Sequence, residues 1–260
     1  MRLAVCEAPA ELAADSKAWT GFAEAARKVT SDVFLLNEMP FGSWIAGRTV
    51  LDPEVLVSSH RAHLAGLKRL PDLGAPVVIA TFPTFEHGTS VNQGFIWEQE
   101  GRVRPVHSKQ FFPDEPGYWE AHWFRRGDTH FRVAEVRGLR VGFLICTEVM
   151  FNEWARHYRR EAAHLIVVPR ATPPQSLQRW KTAVAMAAIV SGCYVATSNR
   201  VGRDGMGQEF GGGGWIFDPT GKLIAETTPE RPVVSAMLNL SLVTAAQKEY
   251  PCYVEELPPS

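Results

Sequence analysis

Cys146 ends an apolar run, Val141-Gly142-Phe143-Leu144-Ile145, and opens an amphipathic segment at Glu148. At such a strand-to-helix junction backbone N–H groups turn outward. That setting lowers a thiol pKa from its free value of about 8.5 and offers donors to an oxyanion. The other three cysteines have no comparable context. Cys6 and Cys193 lie inside apolar strand-like runs, as small buried hydrophobes do, and Cys252 follows Pro251. There is no Cys-x-x-Cys pair and no histidine grouping at zinc spacing, so neither a metal nor a disulfide framework is expected.

Two carboxylates and one lysine occupy similar post-strand positions. Glu38 follows Val33-Phe34-Leu35-Leu36-Asn37 and precedes Met39-Pro40-Phe41. Its apolar neighbours place the carboxylate in a cleft, suited to general-base work; a strand-end or capping glutamate is the plainer alternative. Lys109 stands in His107-Ser108-Lys109-Gln110-Phe111-Phe112, after the strand returning from a turn at Gly101. A solvated surface lysine is the common case. Held among Phe111, Phe112, Tyr118 and Trp119, however, it would be a desolvated cation able to face a thiolate or an oxyanion. Glu120, after Tyr118-Trp119, is the second candidate carboxylate, and Glu115 is its competitor. A thiol, a base and a fixed cation are the parts of covalent acyl chemistry.

The elements that must carry these residues alternate along the chain. Strand-like runs fall at 3–6, 33–36, 77–82, 94–99, 131–136, 141–145, 165–168, 194–198, 215–218 and 233–238. Helical spacing of apolar residues falls at 12–29, 53–70, 152–163 and 175–190. Gly101, Gly138 and Gly221 mark hairpin turns. Hairpins mixed with strand–helix–strand units predict an α/β protein with mixed sheets covered by helices, and two stacked sheets would use this many strands well. Gly211-Gly212-Gly213-Gly214 lacks the spacing of a phosphate-binding fingerprint; it reads as a closely approached turn before Trp215.

Bulk properties narrow the function. The 260 residues are 45% hydrophobic and 21% charged with net charge −1, which gives no electrostatic case for nucleic acid or an anionic membrane. No apolar stretch reaches the roughly 18 residues of a membrane span. Met1-Arg2-Leu3-Ala4-Val5-Cys6 looks like a first strand and not a signal peptide, so a cytoplasmic enzyme is expected.

The motifs, taken in order, resemble the nitrilase or carbon–nitrogen hydrolase superfamily over nearly the whole chain. The resemblance rests on Leu36-Asn37-Glu38-Met39-Pro40, His107-Ser108-Lys109-Gln110-Phe111 and Gly142-Phe143-Leu144-Ile145-Cys146-Thr147-Glu148. Val91-Asn92, Phe151-Asn152-Glu153-Trp154, Ser198-Asn199-Arg200 and Phe217-Asp218-Pro219-Thr220-Gly221 support it. It implies a four-layer αββα sandwich of two mixed sheets, formed by residues 1–260 as one domain. Glu38 would be the base, Lys109 the electrostatic stabiliser, Cys146 the nucleophile and Glu120, ahead of Glu115, the supporting carboxylate. Substrate contacts are expected from Thr147, whose N–H would serve the oxyanion, from apolar walls including Phe112 and Trp119, and from Arg170, which could pair with a substrate carboxylate. No metal or cofactor is implied.

The reaction implied is hydrolysis of a small aliphatic amide or N-carbamoyl compound through a cysteine thioester. Nitrile hydrolysis and a non-catalytic binding member of the same fold are the alternatives. Departures from the family pattern are Thr147-Glu148 after the cysteine, Phe151-Asn152-Glu153 without its proline, and no acidic residue in Met186-Ala187-Ala188-Ile189-Val190. Relatives pair through the flanking helices, which implies a homodimer using Trp154, Tyr158, Trp180, Tyr250 and Tyr253, with a tail at about 240–260 crossing to the partner.

Overall fold

The computed structural model describes residues 1–256. In chain order the elements are β1 (Arg2–Pro9), α1 (Lys17–Arg27), β2 (Val33–Leu35), α2 (Pro53–Leu67), β3 (Val77–Glu86), β4 (Thr89–Glu98), β5 (Val103–Ser108) and α3 (Glu120–Trp123). Then follow β6 (Ala134–Val136), β7 (Leu139–Phe143), α4 (Asn152–Arg160), β8 (Leu165–Pro169), α5 (Leu177–Ser191) and β9 (Tyr194–Arg203). Last come β10 (Glu209–Gly211), β11 (Trp215–Phe217), β12 (Leu223–Glu226), β13 (Val233–Met237) and α6 (Leu240–Ala246).

One group of strands runs β5-β4-β3-β2-β1, with β13 antiparallel on the other side of β1. The second runs β9-β8-β7-β6, with β11 antiparallel to β9 and β12 beside β11. The two meet where the end of β1 pairs in parallel with β9, Glu7 opposite Asn199 and Pro9 opposite Val201. The central strands β1–β3 and β7–β9 are parallel and buried on both faces, which explains their nearly continuous apolar sequences.

Alternation along the strands sorts the core into layers. Leu3, Val5, Val33 and Leu35 meet Val141, Phe143, Leu165 and Val167 between the two sheets. Ala4, Cys6, Phe34 and Leu36 point the other way, onto Trp19, Phe22 and Ala26 of α1. On the opposite outside, Ile166, Val168 and Val195 meet Ala155 and Tyr158 of α4 and Val184 and Ala188 of α5. The architecture is therefore the expected αββα sandwich. Gly142 lets α4 lie close on β7, since a Cβ there would sit 2.6 Å from the Tyr158 ring.

Several local expectations shift. The helix expected from residue 12 starts at Lys17 because Ser16 caps it, accepting from the Trp19 N–H at 3.0 Å. The strand expected from 131 starts at Ala134, since Phe131 takes φ 45° and stacks on Trp154 at 3.6 Å. Of the expected interface aromatics, Tyr158 and Trp180 are buried within the chain, Trp154 is half-buried under Phe131, and Tyr250 and Tyr253 are exposed. Part of the expected tail, residues 257–260, lies outside the described residues. The preceding stretch packs on its own chain: Arg156 donates to Pro251 O and Val254 O and pairs with Glu256 at 2.8 Å.

Candidate active site

Cys146 follows β7 and begins a 3₁₀ turn, Cys146–Met150, with φ 51°. A left-handed backbone at a non-glycine residue costs about 1–3 kcal/mol and must be held by its surroundings. Glu148 supplies that hold. Its Oε2 accepts from the Ile145 N–H and from His107 Nε2, both at 2.7 Å, while Oε1 accepts from the Gln110 N–H at 2.6 Å. His107 Nδ1 accepts from the Phe131 N–H, so the ring proton belongs on Nε2. One buried carboxylate thus ties the cysteine turn to the loop that carries Lys109.

Lys109 leaves the end of β5, its N–H donating to Asn92 O at 2.9 Å. Its buried ammonium donates to Glu38 Oε1 at 2.8 Å and to both oxygens of Glu120 at 2.7 Å. Glu120, at the start of α3, is therefore the carboxylate beside the lysine; Glu115 is exposed on the preceding loop. Burial alone would strip the lysine of its proton, but Glu120 and Glu38 together drive its pKa upward. Glu120 is pushed up by burial, and the Lys109 charge pulls it partly back.

Glu38 is buried just beyond β2. Its Oε1 is saturated by Lys109 and by Asn92 Nδ2, which donates at 2.8 Å. Its Oε2 has no partner among the described residues. A buried carboxylate oxygen left open in this way is an acceptor held ready for a proton. The backbone around Glu38 is fixed from β9: the Arg200 guanidinium donates to Glu38 O, Met39 O, Ala10 O and Gly42 O. Met39 itself has φ 44°, so left-handed residues occur at Cys146 and next to Glu38.

The Cys146 thiol corrects the expectation of a lowered pKa. Burial raises it well above its ordinary value, the Glu38 charge adds to the rise, and Lys109 and the Ala171 N–H only partly offset them. Its surroundings therefore favour the neutral thiol over the thiolate.

Cys146 and Thr147 open onto a cavity of about 340 Å³ lined also by Tyr118, Met150, Ala171, Pro173 and Trp180. Phe112 and Trp119 do not line it; Phe112 packs against the apolar cluster that contains Trp44 and Trp123, and Trp119 lies against His122 at 5.6 Å. Arg170 is a second correction. Its buried guanidinium donates to Thr197 Oγ1 at 2.8 Å, to Thr172 Oγ1 at 2.5 Å and to Gly212 O and Gly213 O, and stacks on Trp215 at 4.1 Å. Those acceptors engage its fork, so it holds a loop and leaves no face for a substrate carboxylate. The glycine run is explained by the same contacts: a Cβ on Gly214 would lie 2.8 Å from Cys6 O. No cluster of three or more His, Cys, Asp or Glu able to hold a metal occurs among the described residues.

Sequence reasoning gave Ala171 and Arg179 no place at the site, noted Glu148 only as a departure from the family pattern, and set Tyr118 among the aromatics around Lys109. Asn92 and Arg200 had a signal, since both fall in motifs that support the resemblance.

A strained cysteine at the end of a central strand, facing a buried lysine and carboxylates between two sheets, defines a hydrolase that works through a cysteine. A family model described as carbon-nitrogen hydrolase matches residues 2–248, and the chain belongs to that family. It is 26% identical over 233 residues to the 2-oxoglutaramate amidase of Bacillus subtilis, covering 86% of this chain and 84% of that protein. It is also 26% identical to the N-carbamoylputrescine amidase of Arabidopsis thaliana, over 74% of this chain and 69% of that one. The fold matches a carbon-nitrogen hydrolase from Helicobacter pylori G27 with TM-score 0.85 at 18% identity, covering 98% and 95% of the two chains. An amidase from Nesterenkonia sp. matches with TM-score 0.75 at 20% identity, covering 94% and 92%; a mutant of that enzyme carries acrylamide added at its active-site cysteine. The named relatives are amidases, which does not favour the nitrile-hydrolysing alternative.

Proposed function

We propose that this carbon–nitrogen hydrolase cleaves the C–N bond of a small aliphatic amide or N-carbamoyl compound, with Glu38, Lys109, Glu120 and Cys146 as its machinery. Glu38 takes the Cys146 thiol proton as sulfur adds to the carbonyl carbon. Lys109 and the Thr147 N–H stabilise the oxyanion. Glu38 then gives its proton to the departing nitrogen, which leaves as ammonia or amine and breaks the C–N bond. A water next loses a proton to Glu38 and attacks the thioester carbon; the acid departs and the thiol is restored. Glu120 keeps Lys109 charged and aimed. The chain's residues complete this cycle with no metal or cofactor.

The observation carrying the reading is the unpartnered Oε2 of buried Glu38, in a site where the Glu38 and Lys109 charges both act on the Cys146 thiol. We read residues 1–260 as one catalytic domain acting as a cytoplasmic homodimer; exposed Phe151, Met186, Tyr250 and Tyr253 support the pairing. No helix among the described residues is long and apolar enough to cross a membrane. The test is ammonia release from a panel of amides, N-carbamoyl acids and nitriles, with Cys146→Ala as blank. Turnover of amides or carbamoyl compounds only in the unmodified protein is expected; a panel cleaved equally well by both proteins would reject the reading.

A further inference from the structure

The cavity at Cys146 carries two charged side chains that the mechanism does not use, Arg179 and Glu115. Both are exposed, and neither forms an ion pair with the other or with any described residue. Asp114, next to Glu115, is by contrast paired with His122 at 2.9 Å. Arg179 is also poorly placed for the helix that bears it. It is the third residue of α5, in a first turn with no acidic residue and no side-chain cap. A cation there opposes the positive end of the helix dipole, where an anion would be favoured. Its position is explained if it serves something outside the chain, and the cavity it lines contains the nucleophile.

From this charge layout we propose that Arg179 is the residue that reads a carboxylate on the acyl part of the substrate, selecting monoamides of dicarboxylic acids and N-carbamoyl acids over neutral amides. The inference rests on the hydrolase reading above and moves to Arg179 the role that Arg170, engaged by its own loop, does not fill. Guanidinium and carboxylate form two parallel charge-assisted hydrogen bonds. The N-terminal end of α5 adds to the attraction. Glu115, from the loop before α3, repels a second carboxylate and admits an ammonium beside the first. Met150, Pro173 and Trp180 leave an apolar passage for the methylene groups between the two ends.

The test compares kcat/KM for glutaramic acid and for pentanamide, its analogue without the carboxylate, in wild type, Arg179→Gln and Arg179→Glu. The ratio of the two values should favour glutaramic acid in wild type and fall about 10–100-fold in Arg179→Gln, the range for losing hydrogen bonds to a charged group. The loss should fall mainly in KM, and rising salt should shrink the wild-type ratio. Arg179→Glu should turn preference toward an amide bearing a terminal ammonium, a gain that misfolding does not produce. An unchanged ratio in Arg179→Gln, with ammonia still released, overturns the assignment of Arg179 alone. If wild type releases ammonia from none of these amides and Cys146 takes up no acyl group, the hydrolase reading falls first and this inference with it.

Discussion

Cys146, the nucleophile of the proposed reaction, sits where its surroundings favour the neutral thiol. Burial and the neighbouring Glu38 charge hold the thiol well above its ordinary range. Thiolate ultraviolet absorbance, taken as wild type minus Cys146→Ser, should therefore stay flat up to about pH 9; a sigmoid centred near neutrality would show a resting thiolate instead. Lys109 gives a second prediction at this scale. Lys109→Met removes the fixed positive charge that would stabilise the oxyanion and should lower kcat by about 10²–10³. It also leaves Glu38 and Glu120 buried without their cation, a loss of about 3–5 kcal/mol when both are ionised. Glu120, already pushed up by burial, should take a proton in the variant. Its folded pKa then exceeds its unfolded one, so the variant's stability is retained at low pH and lost as pH rises. Thermal melts between pH 5 and 8 check the sign; a penalty that does not change with pH would contradict it. Glu38, Lys109 and Cys146 were legible in sequence because each follows a strand within a distinctive motif. Arg170 was misread because sequence places it after a strand but does not show that Thr172, Thr197 and two glycine carbonyls engage its donors.

The site depends on turns between elements more than on the elements themselves. Glu148 joins three of them, accepting from Ile145, Gln110 and His107. In Glu148→Gln the amide has one acceptor oxygen, and its NH₂ faces a donor, so at least one buried N–H loses its partner. Each such loss costs about 1–3 kcal/mol. We expect a lower Tm and a fall in kcat larger than any rise in KM, measured by calorimetry and steady-state kinetics. Unchanged kcat with a lower Tm would make Glu148 a purely structural brace. The parallel strands and four long helices were legible because their patterns run over many residues. The short elements β10, β12, α3 and α6 were not, since three to seven residues carry too little periodicity to read. Glu148 itself stood out only as a departure from the family pattern; two of its three partners lie 38 and 41 positions away and are joined to it by the tertiary fold.

At the scale of the molecule, buried titratable groups set the pH range of stability. His63 is buried and neutral, donating from Nδ1 to Ser59 O and accepting from the Phe41 N–H, and burial lowers its pKa from 6.5 to about 4. The unfolded chain therefore binds a proton there first, and about 3 kcal/mol is lost as pH falls from 6.5 through 4. Cys6 and Cys193 are raised by burial from 9.0 to about 12. Their contribution is complete below pH 9 and declines above it by about 1.4 kcal/mol per pH unit for each thiol. Both proteins should lose stability above about pH 9, and the urea midpoint of wild type relative to His63→Gln should fall as pH drops from 6.5 through 4, the acid limb that His63 adds. An acid limb identical in that variant would remove His63 from the account. The αββα architecture was legible at this scale from the count and order of elements. The tail's docking on Arg156 was not, because nothing in the composition of 251–256 shows which surface it meets.

The proposed reaction requires a bond between Cys146 sulfur and the acyl carbon. The direct measurement is intact-protein mass spectrometry on enzyme quenched in acid during turnover of a small amide, followed by peptide mapping. An adduct equal in mass to the substrate less ammonia, located on Cys146 and absent in Cys146→Ala, is the predicted result. Sustained ammonia release by Cys146→Ala, with no adduct in either protein, would contradict it.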